Sequence, residues 1–134
     1  VGISDEVGNV KIYNPTMGKD VSYIESPYSW NSLTDFTHNI QSIENVWKGG
    51  IEGNRNSSAS LEAYFKKYSP DINTKVETAI TNAITKIQAI DYPFVNYVNN
   101  NTDNWAKSKA ATAACKDISD ALTEANNFIQ STNK

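Results

Sequence analysis

The chain has one cysteine, one histidine and one arginine, and each scarcity removes a class of function. A lone Cys115 cannot close an internal disulfide, and a lone His38 cannot build a multi-histidine metal cage. Arg55 is the one arginine among 12 basic residues, and 15 acidic residues outnumber them to leave a net charge of -3. Nucleic acid is therefore excluded as the main partner, because phosphate binding needs a concentrated basic face. No apolar run reaches the roughly 18 residues that a membrane-spanning helix requires. Glycine-rich phosphate loops, zinc ribbons and nucleophile elbows are missing as well.

What remains is the composition of one folded domain: 134 residues, 39% hydrophobic and 20% charged. The opening Val1-Gly2-Ile3-Ser4-Asp5-Glu6 has neither a Met nor a basic-then-apolar leader, and reads as the interior of a longer chain. Residues 1–30 hold Gly2, Gly8, Gly18, Pro15 and Pro27 among scattered aromatics, with no helical period. Val10–Tyr13 and Val21–Ile24 flank a turn-rich stretch, so this segment is expected to be irregular, either a short hairpin or a loop draped on the main body.

The pattern then changes. Ser32 with Asp35 three residues on resembles a capping box. Leu33, Phe36, Ile40, Ile43 and Trp47 recur at spacings of three and four, which predicts an amphipathic helix ended by Gly49-Gly50. Ser60 is placed to cap a short helix over Leu61–Tyr68 that stops before Pro70. A third helix from Pro70 buries Ile72, Val76, Ile80, Ile84 and Ile87. A helical turn through Phe94–Val98 precedes a long helix from about Asp103 to Thr132, whose stripe is Ala111, Ala114 or Cys115, Ile118, Leu122, Ala125 and Ile129. These spans make the class all-α, with an up-down four-helix-bundle-like architecture behind the irregular N-terminal segment. The unequal rods leave part of the last helix to be covered by the N-terminal segment or by a further half.

Candidate chemistry is sparse. His38, beside Asp35, has the residue types of a general base or a metal ligand. The positions three and four residues later hold Gln41 and Ser42, poor partners for a transition metal, so the pattern also suits a solvated helix face. Cys115 lies in an alanine-rich stripe, as a small buried hydrophobe would. Asn39, Ser42 and Asn45 are less ordinary. An exposed helix face usually carries Lys and Glu, whereas short amides and hydroxyls disfavour helix and suit a packed, hydrogen-bonded surface. They form either a polar interface or an incidental run in an asparagine-rich chain.

Tyr28-Ser29-Trp30-Asn31-Ser32-Leu33-Thr34-Asp35-Phe36, then Asn39-Ile40-Gln41-Ser42-Ile43-Glu44-Asn45-Val46-Trp47-Lys48-Gly49-Gly50, resembles the C-terminal half of imelysin-like proteins. The resemblance extends to Ser60–Tyr64, Pro70–Ile90 and Pro93-Phe94, covering about residues 28–130. It implies an interdomain segment over 1–27 and a helical bundle over 28–134. It also implies an exported, periplasmic or cell-surface lipoprotein, from a family named as metallopeptidases with relatives in iron uptake. The family signature Gly-x-His-x-x-Glu is absent: Phe36-Thr37-His38-Asn39-Ile40-Gln41 has Phe for the glycine and Gln for the glutamate.

The resemblance therefore implies a half-protein that holds no cofactor by itself, whose partner is the N-terminal half of the same protein. Any divalent metal or iron belongs to the complete molecule. Asp35, His38, Asn39, Ser42 and Asn45 are the candidates for one wall of a site between the halves, and no residue is assigned a catalytic role. Two alternatives stay open: a metallopeptidase to which this chain lends substrate contacts, and a stand-alone helical adaptor without a ligand.

Overall fold

Every regular element of the computed structural model is helical, and the model describes residues 1–132. Helix α1 (Gly2–Asp5) runs directly into a π-helical stretch, Glu6–Tyr13. After a single short 3-10 turn at Val21–Tyr23 come α2 (Ser32–Trp47), α3 (Leu61–Tyr68), α4 (Pro70–Gln88), α5 (Phe94–Asn100) and α6 (Ala106–Thr132). The all-α reading holds.

The N-terminal segment departs from expectation. No hairpin forms, and residues 2–13 are helical instead of irregular. The helix was hidden because two of its buried positions, Ser4 and Gly8, do not look like core. Its π geometry also widens the period: the Asn14 N–H donates to the Asn9 carbonyl, five residues back. Gly8 is required by closeness. A Cβ there would stand 2.9 Å from Cys115 Cβ on α6. The Thr112 hydroxyl donates to the Gly8 carbonyl at 3.2 Å, which fastens the contact. This first helix covers α6, and with α2 and α4 it completes the bundle.

The predicted stripe of α2 is the buried one: Leu33, Phe36, Ile40, Ile43 and Trp47. Gly49 and Gly50 stop the helix with φ of 80° and 144°, conformations that side chains rarely adopt. Ser60 caps α3 by accepting from the Ala63 N–H at 3.1 Å. Helix α2 crosses α4 in the opposite sense: Phe36 meets Phe94 edge-on just beyond the end of α4, while Trp47 reaches Asn73 near its start. Helix α6 likewise opposes α4, with ion pairs Lys107–Asp91 at one end and Lys75–Glu124 at the other. The alanines of α6, Ala111, Ala114, Ala121 and Ala125, are small enough to let it be packed by both α4 and the N-terminal helix.

The capping box is corrected. Ser32 is the first residue inside α2, and its hydroxyl donates to the Glu25 carbonyl instead of accepting from the helix. Asp35 accepts from the Ser26 hydroxyl at 2.9 Å. Both side chains hold the preceding loop, and the α2 N-cap, Asn31, makes no side-chain cap bond.

Candidate functional site

On α2, three residues turn a position by about 60° relative to the last, since the helix has 3.6 residues per turn. Asn39, Ser42 and Asn45 therefore spiral around the outer side and do not share one line. The residues that do share a stripe are Asp35, Asn39, Ser42 and Val46, at steps of four, three and four. Asp35, Asn39, Ser42 and Asn45 are all half-buried, whereas Val46 is 69% exposed. Val46 escaped the sequence reading because it looks like one more core residue.

The polar groups of this stripe differ in what they have left to offer. The Asp35 carboxylate is engaged by Ser26. The Ser42 hydroxyl donates to the Asn39 carbonyl at 2.6 Å, a bond internal to the helix. Among the described residues, the side-chain amides of Asn39 and Asn45 make no hydrogen bond within the chain, so each keeps two donors and an acceptor for another molecule. No lysine or arginine lies on the stripe.

His38 is exposed and points elsewhere. It lines a shallow cleft of about 370 Å³ with Thr34, Thr37, Gln41, Gln88 and Tyr92, on the side facing the end of α4. The structure thus does not bring His38 together with Asn39. Among the described residues, no group of three or more His, Cys, Asp or Glu is gathered where it could hold a metal. The donor chemistry of the α2 wall agrees: it offers a single carboxylate, Asp35, among neutral amides and hydroxyls. These residues do not fit a resident metal by themselves.

Cys115 is buried, and burial first, then the Asp5 charge, pushes its thiol up to about 12. A thiol held protonated is neither a nucleophile nor a metal ligand. Two larger grooves flank α6, away from the α2 wall. One, of about 580 Å³, lies along the N-terminal helix and carries Asp5, Lys109, Lys116 and Asp120. The other, of about 590 Å³, runs between α4 and α6 over Ala79 and Ala121. Their rims mix both charges, as solvated helix edges do.

A second polar cluster, unforeseen in the sequence, ties α2, α3 and α4 together. The buried Trp47 Nε1–H donates to Asn73 Oδ1 at 3.1 Å, and Asn73 Nδ2 donates to Glu77 Oε2 at 2.9 Å. Across from Glu77, Glu62 is held by Lys66 at 2.7 Å. Burial and then the facing Glu62 carboxyl raise the pKa of Glu77, while the hydrogen bond from Lys66 lowers that of Glu62. No local spacing announces this cluster, because its members come from separate helices.

Residues 1–125 match the family model for imelysin, peptidase M75. Two solved structures share the fold. One, from Parabacteroides distasonis, bears the provisional name iron-regulated protein A precursor; it is 34% identical with a TM-score of 0.81, over 94% of this chain and 37% of that one. The other is an imelysin peptidase from Bacteroides ovatus, 33% identical with a TM-score of 0.78, over 91% of this chain and 35% of that one. The chain thus spans about a third of the length of these relatives. No curated protein matches it. The family match begins at residue 1, so it includes the N-terminal helix that the sequence resemblance left out.

Proposed function

This chain belongs to the imelysin family, and from that premise we propose that it works as one helical half of a longer, exported cell-envelope protein. Its α2 face supplies one wall of a ligand site against an N-terminal half. The observation that carries this reading is the stripe Asp35–Asn39–Ser42–Val46: half-buried short polar groups and an exposed valine, with the Asn39 amide unpartnered in the chain and no lysine to keep the face wet. A surface of that kind can exchange its water for hydrogen bonds to a second surface.

Support for export and for iron comes from the relative whose provisional name describes an iron-regulated precursor. Carried to this chain, the ligand is iron or another divalent metal, bound through the half that holds the family's Gly-x-His-x-x-Glu signature. Asn39 and Ser42 shape and hydrogen-bond the surroundings, with Asn45 on the adjoining edge of the helix, and none of them donates charge. The peptidase reading rests on the name of the second relative; there this chain contributes substrate contacts from the same amides.

The test is calorimetric. Fe(II) and Zn(II) are titrated into the full-length protein and its Asn39→Leu/Ser42→Leu variant, with thermal unfolding as the control. Binding weakened by about tenfold at unchanged melting temperature supports the wall, since each tenfold is about 1.4 kcal/mol of lost interaction. Unaltered affinity rejects it. Micromolar stoichiometric binding by residues 1–134 alone would also contradict it.

A further inference from the structure

The loop before α2 is built in an unusual way. Both of its ends are clamped: Glu25 is paired with Lys11 at 2.9 Å and receives the Ser32 hydroxyl on its carbonyl, and Ser26 is bonded to Asp35 at 2.9 Å. Between the clamps the backbone is strained. Ser26 and Trp30 sit at φ of 54° and 58°, the left-handed region that a bulky residue such as tryptophan seldom enters. The Trp30 N–H closes the loop on the Ser26 carbonyl at 3.1 Å.

What this arrangement presents is aromatic surface. Tyr28 is 98% exposed and Trp30 53% exposed. A flexible loop would fold such side chains back onto the bundle, as water favours. Held off by the clamps, they meet the description of preorganised anchors: large rigid side chains whose ordering cost is met before any partner arrives. The clamp also fixes the direction. Asp35, which holds Ser26, is the first member of the α2 stripe, so the aromatic loop is continuous with the proposed wall at its N-terminal end.

We propose that Tyr28 and Trp30 are the anchor residues by which this half docks onto the remainder of the full-length chain, each inserting into an apolar pocket there. This rests on the α2-wall reading and adds where the docking energy is concentrated. The occupant is the rest of the same polypeptide, because the matched relatives carry about twice as much chain again beyond the region that this one spans. The aromatic loop and the stripe together offer what such an interface needs: a desolvated aromatic centre beside a polar, hydrogen-bonding margin.

Hydroxyl-radical footprinting of the full-length protein tests this, with Tyr92, 67% exposed on the other flank of α2, as the internal standard. Tyr28 and Trp30 are expected to oxidise about tenfold more slowly than their intrinsic reactivity relative to Tyr92 predicts, because anchors at an interface centre are shielded from water. Oxidation at the rate of Tyr92 while Val46 is protected overturns the anchors and leaves the wall. Oxidation of all three, Val46 included, overturns both. Protection that vanishes on dilution assigns the surface to a second copy of the chain and overturns the proposal.

Discussion

The Ser26 hydroxyl donates to the Asp35 carboxylate at 2.9 Å, joining the loop before α2 to the first turn of that helix. An acidic residue placed to neutralise the helix start is thereby spent on positioning the loop. Asp35→Ala should accelerate amide exchange over residues 26–31 while costing only about 1 kcal/mol of global stability, the usual net value of one such bond. Hydrogen exchange followed by mass spectrometry reads both, and an unchanged loop would show that Glu25 alone holds it.

Gly8 leaves no room for a side chain against Cys115 on α6. Gly8→Val should cost about 1–3 kcal/mol, as overpacking does in a filled core. Gly8→Ala paired with Cys115→Gly should be less destabilising than the two single changes added together, because the second removes the atom that the first strikes. Urea unfolding of the four proteins measures the coupling.

Trp47 and Asn73 share a buried hydrogen bond of 3.1 Å. Asn73→Ala leaves the indole N–H without a partner in the core and should lower stability by about 1–3 kcal/mol. The denaturation midpoint should fall with an unchanged denaturant slope, since the same surface is exposed on unfolding.

The Glu62–Glu77 pair makes stability depend on pH. Glu77 is raised above its ordinary value of 4.5 by burial and by Glu62, so its ionisation opposes folding. That part of stability is present below pH 4.5 and lost as pH rises through the raised value. Glu62 is lowered by Lys66, so its contribution appears above pH 4.5 and is lost only as pH falls through its own depressed value. Glu77→Gln should therefore flatten the decline in melting temperature above pH 4.5, by less than about 1 kcal/mol for a half-buried pair that water still screens. A variant with the parent's pH profile would remove Glu77 from the account.

Helices α2, α3, α4 and α6 were legible because their cores repeat Leu, Ile, Val, Phe and Ala at spacings of three and four, with Ser60, Pro70 and Gly49 marking ends. The N-terminal helix was not, since a glycine and a serine fill its contact face and the π turns stretch its period. Ser32 and Asp35 misled for a related reason. Their spacing fits a cap, yet a loop seven to nine residues upstream in sequence engages the same oxygens. Of the candidate wall, the polar residues could be read but their grouping could not. Asn39 and Ser42 share a stripe with Val46, Asn45 turns away, and His38 faces the end of α4.

Cys115 is buried with its thiol held protonated, so it stays silent while a cysteine introduced at the surface of this region is labelled. In the full-length protein, Val46→Cys and, as the reference, Thr81→Cys on the exposed side of α4 are reacted with a thiol reagent at neutral pH. If the α2 stripe is a covered wall, Cys at position 46 reacts about tenfold or more slowly than Cys at position 81, as expected where an interface excludes water. Equal rates at the two positions would mean that the stripe faces open solvent, and the proposed site would have no wall.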